Sequence, residues 1–201
     1  MQKGGLVRRA CKLARLADPD TAPVIRRATA ADAAALARIA AATFVETFGH
    51  LYPPEDLSGF LATAYTLEKS RDQIADSAMG IWLALVGDEA AGFVVAGPCK
   101  LPVPGLESRA GEIQQLYVFA KHHNRRIGSR LLRTALEWLA LQDRAPIYVG
   151  VWSENYGAQR LYERHGFVKC GEYGFPVGKT IDREFILRRE QAGADCGSGL
   201  L

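Results

Sequence analysis

The sequence predicts an α/β fold in which a mixed, mostly antiparallel sheet of six or seven strands is flanked by helices. Two apolar segments, 81–87 and 90–98, are joined by a Gly-Asp-Glu turn, which is typical of an antiparallel hairpin. An apolar strand from Glu112, a long helix from Gly128 and a strand at 146–152 follow each other in the order of a parallel crossover. The sheet is therefore expected to combine antiparallel pairs with one parallel pair.

The other elements follow from hydrophobic periodicity and from breaker residues. Before the hairpin, the pattern predicts a strand at 24–29, an Ala-rich helix at 31–48 and helical stretches at 54–65 and 66–78. After the crossover, it predicts a helix at 155–166 that stops at Gly166, then strands at 167–173 and 183–189 around a loop at 174–182. The Pro- and Gly-rich segment 98–111 is expected to be a loop.

Length and composition favour one domain, because 201 residues with 48% hydrophobic content suffice for one α/β core. We expect residues 1–22 to be a flexible basic leader, residues 23–190 the domain and residues 191–201 a flexible tail. No apolar run has the length of a membrane span, and arginines interrupt the N-terminal segment, which argues against a secretory signal. A cytoplasmic location without membrane contact is the expectation.

Cysteine spacing and charge exclude further classes. The four cysteines form no C-x-x-C pair, so neither a zinc site nor a disulfide framework is expected. The net charge is +3, but residues 1–27 carry seven basic and two acidic side chains, which leaves −2 for the remainder. A mildly acidic body provides no electrostatic footprint for nucleic acid.

The turn from the strand at 112–119 into the following helix is a candidate anion site. A helix that opens at Gly128 directs unpaired backbone N–H groups toward this turn. Gly128 lets a pyrophosphate approach the backbone, and Arg125 and Arg126 add positive charge. By spacing alone, a solvated basic turn explains these residues equally well.

Three more residues are candidates for chemistry. Asn155 and Tyr162 are seven positions apart and share one face of the predicted helix, although a lone tyrosine more often only packs. Glu112 opens an apolar strand, so its carboxylate must either lie at an exposed strand end or face a polar cavity. His122 and His123 lie in a charged turn, where solvation at the surface is the default.

Together, these segments resemble the GCN5-related N-acetyltransferase (GNAT) superfamily over residues 24–189. The signature N-x-x-A-x-x-L-Y-x-x-x-G-F is matched from Asn155 to Phe167. The phosphate-loop signature Q/R-x-x-G-x-G/A falls on residues 123–128, where His123 replaces Gln or Arg and Arg126 replaces the first Gly. Main-chain amides make most of the expected bonds, and Arg126 then needs a backbone angle that a non-glycine residue tolerates.

The resemblance implies a GNAT fold in which the central parallel strand pair splays apart and holds the pantetheine arm of acetyl-coenzyme A, with no metal. It places the backbone of Leu116, Tyr117 and Val118 along that arm. It also implies a cofactor contact for Asn155. The loop residues expected at the diphosphate are His123, Asn124, Arg125, Arg126, Ile127, Gly128 and Ser129.

The implied reaction is direct attack of an amine on the thioester. An alkylamine with a pKa of about 10.4 must lose a proton first, and we hypothesise that Glu112 accepts it, directly or through a water. Tyr162 is the candidate acid for the departing thiolate. The tail and the segment ahead of the hairpin are similar to the polyamine-acetylating PaiA-type branch, which implies a small cationic acceptor. The carboxylates expected near it are Glu46, Glu55, Asp56, Glu112 and Glu154.

Three alternatives compete with this interpretation. A protein N-terminal or lysine acetyltransferase would use the same cofactor site with a peptide amine as substrate. A non-catalytic acyl-coenzyme A sensor would bind the cofactor without turnover, which the presence of Tyr162 and Glu112 argues against. A nucleotide-binding module predicts a Walker-type G-x-x-x-x-G-K-S/T motif, which the sequence lacks. Exposed edge strands are consistent with a homodimer.

Overall fold

Seven strands form one mixed sheet with helices on both faces in the computed structural model, which describes residues 22–190. The strands are β1 (Val24–Arg27), β2 (Gly80–Val86), β3 (Glu89–Pro98), β4 (Gly111–Val118), β5 (Ile147–Trp152), β6 (Val168–Val177) and β7 (Thr180–Arg189). The helices are α1 (Ala33–Phe48), α2 (Pro54–Ala64), α3 (Leu67–Ala75), α4 (Ile127–Leu141) and α5 (Tyr156–Glu163). The predicted leader, apart from Ala22, and the predicted tail lie outside the described residues.

The strand order is β1-β2-β3-β4-β5-β7-β6. Every neighbouring pair is antiparallel except β4 and β5, which are joined through α4 and pair in parallel. The predicted mixed sheet with one central parallel pair is thereby confirmed. The α4 crossover begins shortly after β4 ends, so the N-terminus of α4 lies beside the carboxyl ends of β4 and β5.

The two faces of the sheet bury separate clusters because side chains alternate along each strand. Leu131, Leu132 and Leu139 of α4 pack on one face with Val94 of β3. Leu36 and Ile39 of α1 pack on the other face. A third cluster of aromatic side chains joins α1, α2 and β6 at one end of this second face. In residues 22–190, no helix is both long and apolar enough to cross a membrane.

The β2–β3 hairpin matches the prediction, whereas the last two strands are longer than expected. The β2–β3 hairpin turns at Gly87 and Asp88, with Gly87 at φ +60°, as predicted. The predicted loop at 174–182 is wrong, since β6 and β7 pair down to Val177 and Thr180. The strands persist because the side chain of Val177 is fully buried in the aromatic cluster, so extending the ladder buries apolar surface.

The tip of the β6–β7 hairpin contacts α2. The backbone N–H of Lys179 donates to Asp56 Oδ2 at 3.2 Å. Gly178 has φ +59°, and a Cβ at this position would lie 2.2 Å from Asp56 Cγ. Only glycine fits this conformation and this close approach, so the hairpin tip lies directly against the side chain of Asp56 in α2.

Candidate active site

The parallel strands β4 and β5 separate soon after they begin to pair. Their register contains only Gly111 with Ile147 and Glu112 with Tyr148. Further along, β4 remains paired with β3 as far as Val118, while no described strand pairs with its other edge. An opening between two strands leaves backbone N–H and C=O groups available to a ligand that lies along the edge.

A bulge in β4 accompanies this separation. Gln115 pairs with Val95 and Ile113 pairs with Ala96, so Gln114 is an extra residue without a partner on β3. The side chain of Gln114 donates to the carbonyl of Pro98 at 3.0 Å. An extra residue reverses the alternation of side chains and increases the local twist of the strand.

A cleft of about 590 Å³, which we call the cofactor cleft, opens from the separated strands. Ten of the eleven residues that the sequence predicts at the cofactor line it: Leu116, Tyr117, Val118, His123, Asn124, Arg126, Ile127, Gly128, Ser129 and Asn155. The exception is Arg125, whose guanidinium lies 3.5 Å from His122 Nδ1.

The loop before α4 has the backbone geometry of an anion site. Asn124 and Arg126 have φ of +62° and +59°, so both lie in the left-handed region, which Arg126 adopts at a steric cost that glycine would not have. Left-handed residues in such a loop turn backbone N–H groups toward one concave side. The first bond of α4 runs from Arg130 N to Arg126 O, so the N–H groups of residues 127–129 have no helical acceptor.

Gly128 adds space at this helix end. A Cβ there would lie 3.5 Å from Leu161 Cδ2, which is an ordinary contact, so the packing of the described residues does not demand glycine. Because Gly128 lines the cofactor cleft, the absence of a side chain leaves room there for a ligand to approach the backbone. The 15-residue helix α4 also directs its positive dipole end to this point. The residues present therefore fit a phosphate-bearing cofactor.

The helix α5 places its two predicted residues differently. Asn155 is the N-cap of α5, and its Oδ1 accepts from Ala158 N at 3.0 Å. Tyr162 is 5% exposed and packs edge-to-face on Phe167. Its hydroxyl forms no hydrogen bond with the described residues, and it is not among the residues that line the cofactor cleft.

Two residues near Tyr162, Tyr117 and Glu184, nevertheless belong to the candidate site. Burial raises the pKa of its phenol above the ordinary value, and the nearby Tyr117 and Glu184 raise this pKa further. Tyr162 thus keeps its proton at neutral pH. Both of these neighbours line a second cleft.

This second cleft of about 570 Å³, which we call the acceptor cleft, shares the wall residue Tyr117 with the cofactor cleft. Its other walls are rich in aromatic rings: Phe44, Phe48, Tyr52, Phe60, Tyr65, Trp152, Tyr173 and Phe175. Their edge-to-face contacts, such as Phe48 on Trp152 at 5.9 Å, hold the rings in fixed positions.

Glu112 is one of the residues that line the acceptor cleft. It is 7% exposed, and its Oε2 accepts from the backbone N–H of Lys100 at 2.7 Å. Burial raises the pKa of this carboxyl, and the Lys100 N–H and charge oppose the shift. The sequence left two options for the carboxylate of Glu112, an exposed strand end or a polar cavity, and in the structure Glu112 lines the cavity.

Two further carboxylates of this cleft lie on β7 and were missed by sequence reasoning. Glu184 Oε2 accepts from the hydroxyl of Tyr173 at 2.6 Å, and burial raises the pKa of this carboxyl. Asp182 accepts from the hydroxyl of Tyr52. The signal was their spacing: Asp182 and Glu184 are two residues apart and so share one face of a strand. The loop prediction at 174–182 concealed it.

Several expected acceptor carboxylates lie elsewhere. Glu46 accepts from Ala120 N at 2.9 Å and so anchors the β4–α4 loop to α1. Asp56 supports the hairpin tip, while Glu55 and Glu154 are exposed and outside the cleft. Of that set only Glu112 lines the cleft. The prediction failed for these residues because position in the chain does not tell which side of a helix or loop faces the cleft.

The two histidines of the loop also separate. His123 is exposed, and its Nε2 lies 2.8 Å from the carbonyl of Val118. The expectation of a solvated surface is wrong for His122, which is 7% exposed and lines the cofactor cleft. Burial and the adjacent Lys121 lower the pKa of His122. In the described part of the chain, no group of His, Cys, Asp or Glu side chains could bind a metal ion.

Known proteins share this architecture. A model of the acetyltransferase (GNAT) family matches residues 37–167. The chain is 25% identical, over 147 residues, to an uncharacterized N-acetyltransferase from the pepI 3' region of Lactobacillus delbrueckii subsp. lactis, and the match covers 73% of this chain and 85% of that protein.

Two solved structures have a similar fold. One is the PaiA N-acetyltransferase of Thermoplasma acidophilum in complex with coenzyme A, with a TM-score of 0.68, 18% identity, and coverage of 84% of this chain and 99% of that one. The other is the ribosomal-protein-alanine N-acetyltransferase of Brucella melitensis, with a TM-score of 0.61, 21% identity and the same coverage. At these identities the likeness is one of fold.

Proposed function

Because this chain belongs to the GNAT family of acetyltransferases, we propose that it acetylates a small cationic amine such as a polyamine. The family match and the N-acetyltransferase relatives establish the coarser activity, which is transfer of an acetyl group from acetyl-coenzyme A to an amine. The choice of a cationic acceptor rests on one observation: the acceptor cleft combines aromatic walls with the carboxylates of Glu112, Asp182 and Glu184.

The charge and the walls of the acceptor cleft support this choice. Four carboxylates line it, since Asp72 joins the three just named, against the two ammonium groups of Lys69 and Lys100. The faces of tyrosine, tryptophan and phenylalanine rings attract ammonium groups, more strongly where water is excluded. A cleft with this lining favours an alkylammonium over an anionic or a neutral acceptor.

The cofactor cleft supports the binding roles that we assign. The free edge of β4 at residues 116–118 would pair with the pantetheine amides, and the loop and helix end at residues 123–129 would hold the diphosphate. Asn155 would contact the pantetheine through its side-chain nitrogen, since its Oδ1 caps α5. Acetyl-coenzyme A supplies an activated acetyl thioester to this cleft.

Glu112 is the proposed proton acceptor. An amine with a pKa of about 10.4 arrives protonated, and it must lose a proton before it becomes a nucleophile. Glu112 lies at the last paired position of β4 and β5, inside the acceptor cleft, and burial makes its carboxylate a stronger base than an exposed one. Its role is to accept this proton, directly or through a water.

Tyr162 is the proposed proton donor to the coenzyme A sulfur. It occupies the tyrosine position of the family's helix signature and follows two residues, Ala158 and Leu161, whose side chains line the cofactor cleft. Its raised pKa keeps the phenol protonated, and its hydroxyl is not engaged by the described residues. A general acid must carry its proton before the reaction and must have a hydroxyl that can reach the leaving group.

A thiol-release assay with acetyl-coenzyme A tests the acceptor class. Spermidine, spermine, amino acids and short peptides would be compared at equal concentration by kcat/KM. We expect the polyamines to be acetylated most efficiently. A preference for peptides would replace the small-amine proposal with the protein acetyltransferase alternative, and cofactor binding without thiol release from any amine would favour the sensor.

A further inference from the structure

We infer that Glu184, oriented by Tyr173, is a specificity-determining residue that binds a positively charged group of the acceptor other than the attacking nitrogen. This inference rests on the proposed function, because it names the residue that would select a cationic acceptor. Glu184 lies on β7, a strand that carries neither the proposed base Glu112 nor the proposed acid Tyr162.

The hydrogen bonding of Glu184 leaves one oxygen for a ligand. Its Oε2 accepts from the Tyr173 hydroxyl at 2.6 Å, which fixes the orientation of the carboxylate. Its Oε1 accepts no hydrogen bond from the described residues, although the residue lines the acceptor cleft. A fixed carboxylate with a free oxygen on a cleft wall is a strong acceptor for an ammonium group.

The sheet provides room for this carboxylate. Glu184 pairs with Trp152, yet a Cβ at Gly150 would lie 2.8 Å from Glu184 Oε2 and 2.8 Å from the Tyr173 oxygen. The Glu184–Tyr173 pair therefore lies over the bare backbone of Gly150. Any larger residue in β5 at this point would displace the pair.

The strand register separates Glu184 from Glu112. Glu112 is level with Tyr148, and Gly150 is two residues further along β5, which is roughly 7 Å. The two carboxylates therefore occupy different levels of one cleft, and the charge of Glu112 contributes to the raised pKa of Glu184. A molecule with two amino groups several carbons apart can place one near each carboxylate, which a monoamine cannot.

The aromatic walls reinforce the inference. Trp152, Tyr173 and Phe175 line the same cleft as Glu184. Rings around an ammonium group replace part of its hydration and exclude water from the ion pair. An ion pair in such surroundings contributes more to affinity than an exposed pair does.

The experiment compares two acceptors of equal length, 1,5-diaminopentane and pentylamine, with the parent enzyme, Glu184→Gln and Tyr173→Phe. We expect Glu184→Gln to raise KM for the diamine by at least about 10-fold and to raise KM for the monoamine by a clearly smaller factor. Tyr173→Phe should raise KM for the diamine by a smaller factor than Glu184→Gln does. Glu172→Gln is the matched control, since Glu172 is on the neighbouring strand and bonds only the exposed Arg183 and Lys169.

Calorimetric binding of the diamine to the coenzyme A-loaded protein gives a readout that does not need turnover. If the parent acetylates neither these acceptors nor spermidine or spermine, the proposed function fails, and the ratio of diamine affinities of the parent and Glu184→Gln still decides the role of Glu184. Equal losses for both acceptors, or an unchanged diamine affinity in Glu184→Gln, would overturn the inference. Thermal unfolding of each variant verifies that the fold is intact.

Discussion

Glu112 and Tyr117 are five residues apart on β4, yet both line the acceptor cleft. An odd spacing places two side chains on opposite faces of a regular strand, and the extra residue Gln114 removes that opposition. The bulge thus brings the proposed base onto the same side as the residue that joins the two clefts.

The first prediction concerns the proposed acid. Tyr162→Phe removes one hydroxyl from a buried ring and keeps its packing on Phe167, so the fold should persist. We expect kcat to fall by roughly 10-fold to 10⁴-fold, with coenzyme A affinity nearly unchanged. Steady-state kinetics and calorimetry measure the two quantities. Tyr156→Phe, an exposed tyrosine on the same helix, is the control, and an unchanged kcat in Tyr162→Phe would remove the phenol from the mechanism.

The second prediction concerns the pH dependence of the proposed base. A carboxylate must be ionised to accept a proton, so activity should rise as the pH increases through the pKa of Glu112, which burial raises above its ordinary value. Glu112→Gln should lose this acidic limb of the kcat/KM profile. The control is Glu107→Gln, whose carboxylate is half exposed and pairs with Arg188. A profile with the parental limb would assign the proton to another group.

The third prediction isolates backbone strain in the phosphate loop. Arg126→Gly and Arg126→Ala remove the same charge, but only glycine adopts φ +59° without a steric penalty. The glycine variant should therefore be more stable than the alanine variant by about 1 kcal/mol. Urea unfolding measures this difference in the free energy of unfolding. Equal stabilities would mean that the loop relaxes out of the left-handed region.

The fourth prediction concerns the bare backbone of β5. Gly150→Ala places a methyl 2.8 Å from the Glu184 and Tyr173 oxygens, so the pair must move. We expect a higher KM for cationic acceptors and a loss of no more than about 1 kcal/mol in the free energy of unfolding, because the atoms that must move are the ends of two side chains. Gly171→Ala is the matched control, because its nearest contact would be 3.7 Å away. Two variants of equal stability and equal KM would contradict the prediction.

The cofactor side of the molecule could be predicted from sequence because its signals are local. The turn at Gly128 and the helix signature from Asn155 to Phe167 each lie within a few residues, and ten predicted positions line one cleft. Those cofactor assignments remain proposals, but their juxtaposition follows from short-range pattern and the crossover rule.

The acceptor side could not be predicted because its geometry is made by pairing between distant strands. Glu184 reaches the cleft through the β5–β7 register, and the pattern at 174–182, with two glycines and a proline, predicted a loop instead of a strand. The burial of Val177 under the helices outweighed that local preference. The burial of His122 was also missed, because the charged residues beside it in the chain predicted an exposed turn, whereas the folded chain leaves only 7% of this residue exposed.

The glycine at the hairpin tip links two walls that carry the acceptor site. Gly178 lies against Asp56 with no space between them, and Phe60 of α2 packs on Phe175 of β6, so these two contacts together hold α2 against the β6–β7 hairpin that carries Glu184. The width of the acceptor cleft therefore depends in part on an exposed hairpin tip that lies outside the cleft lining. If the acceptor cleft binds the amine as proposed, paired substitutions at residues 56 and 178 should change which amines are acetylated without altering Glu112 or Tyr162.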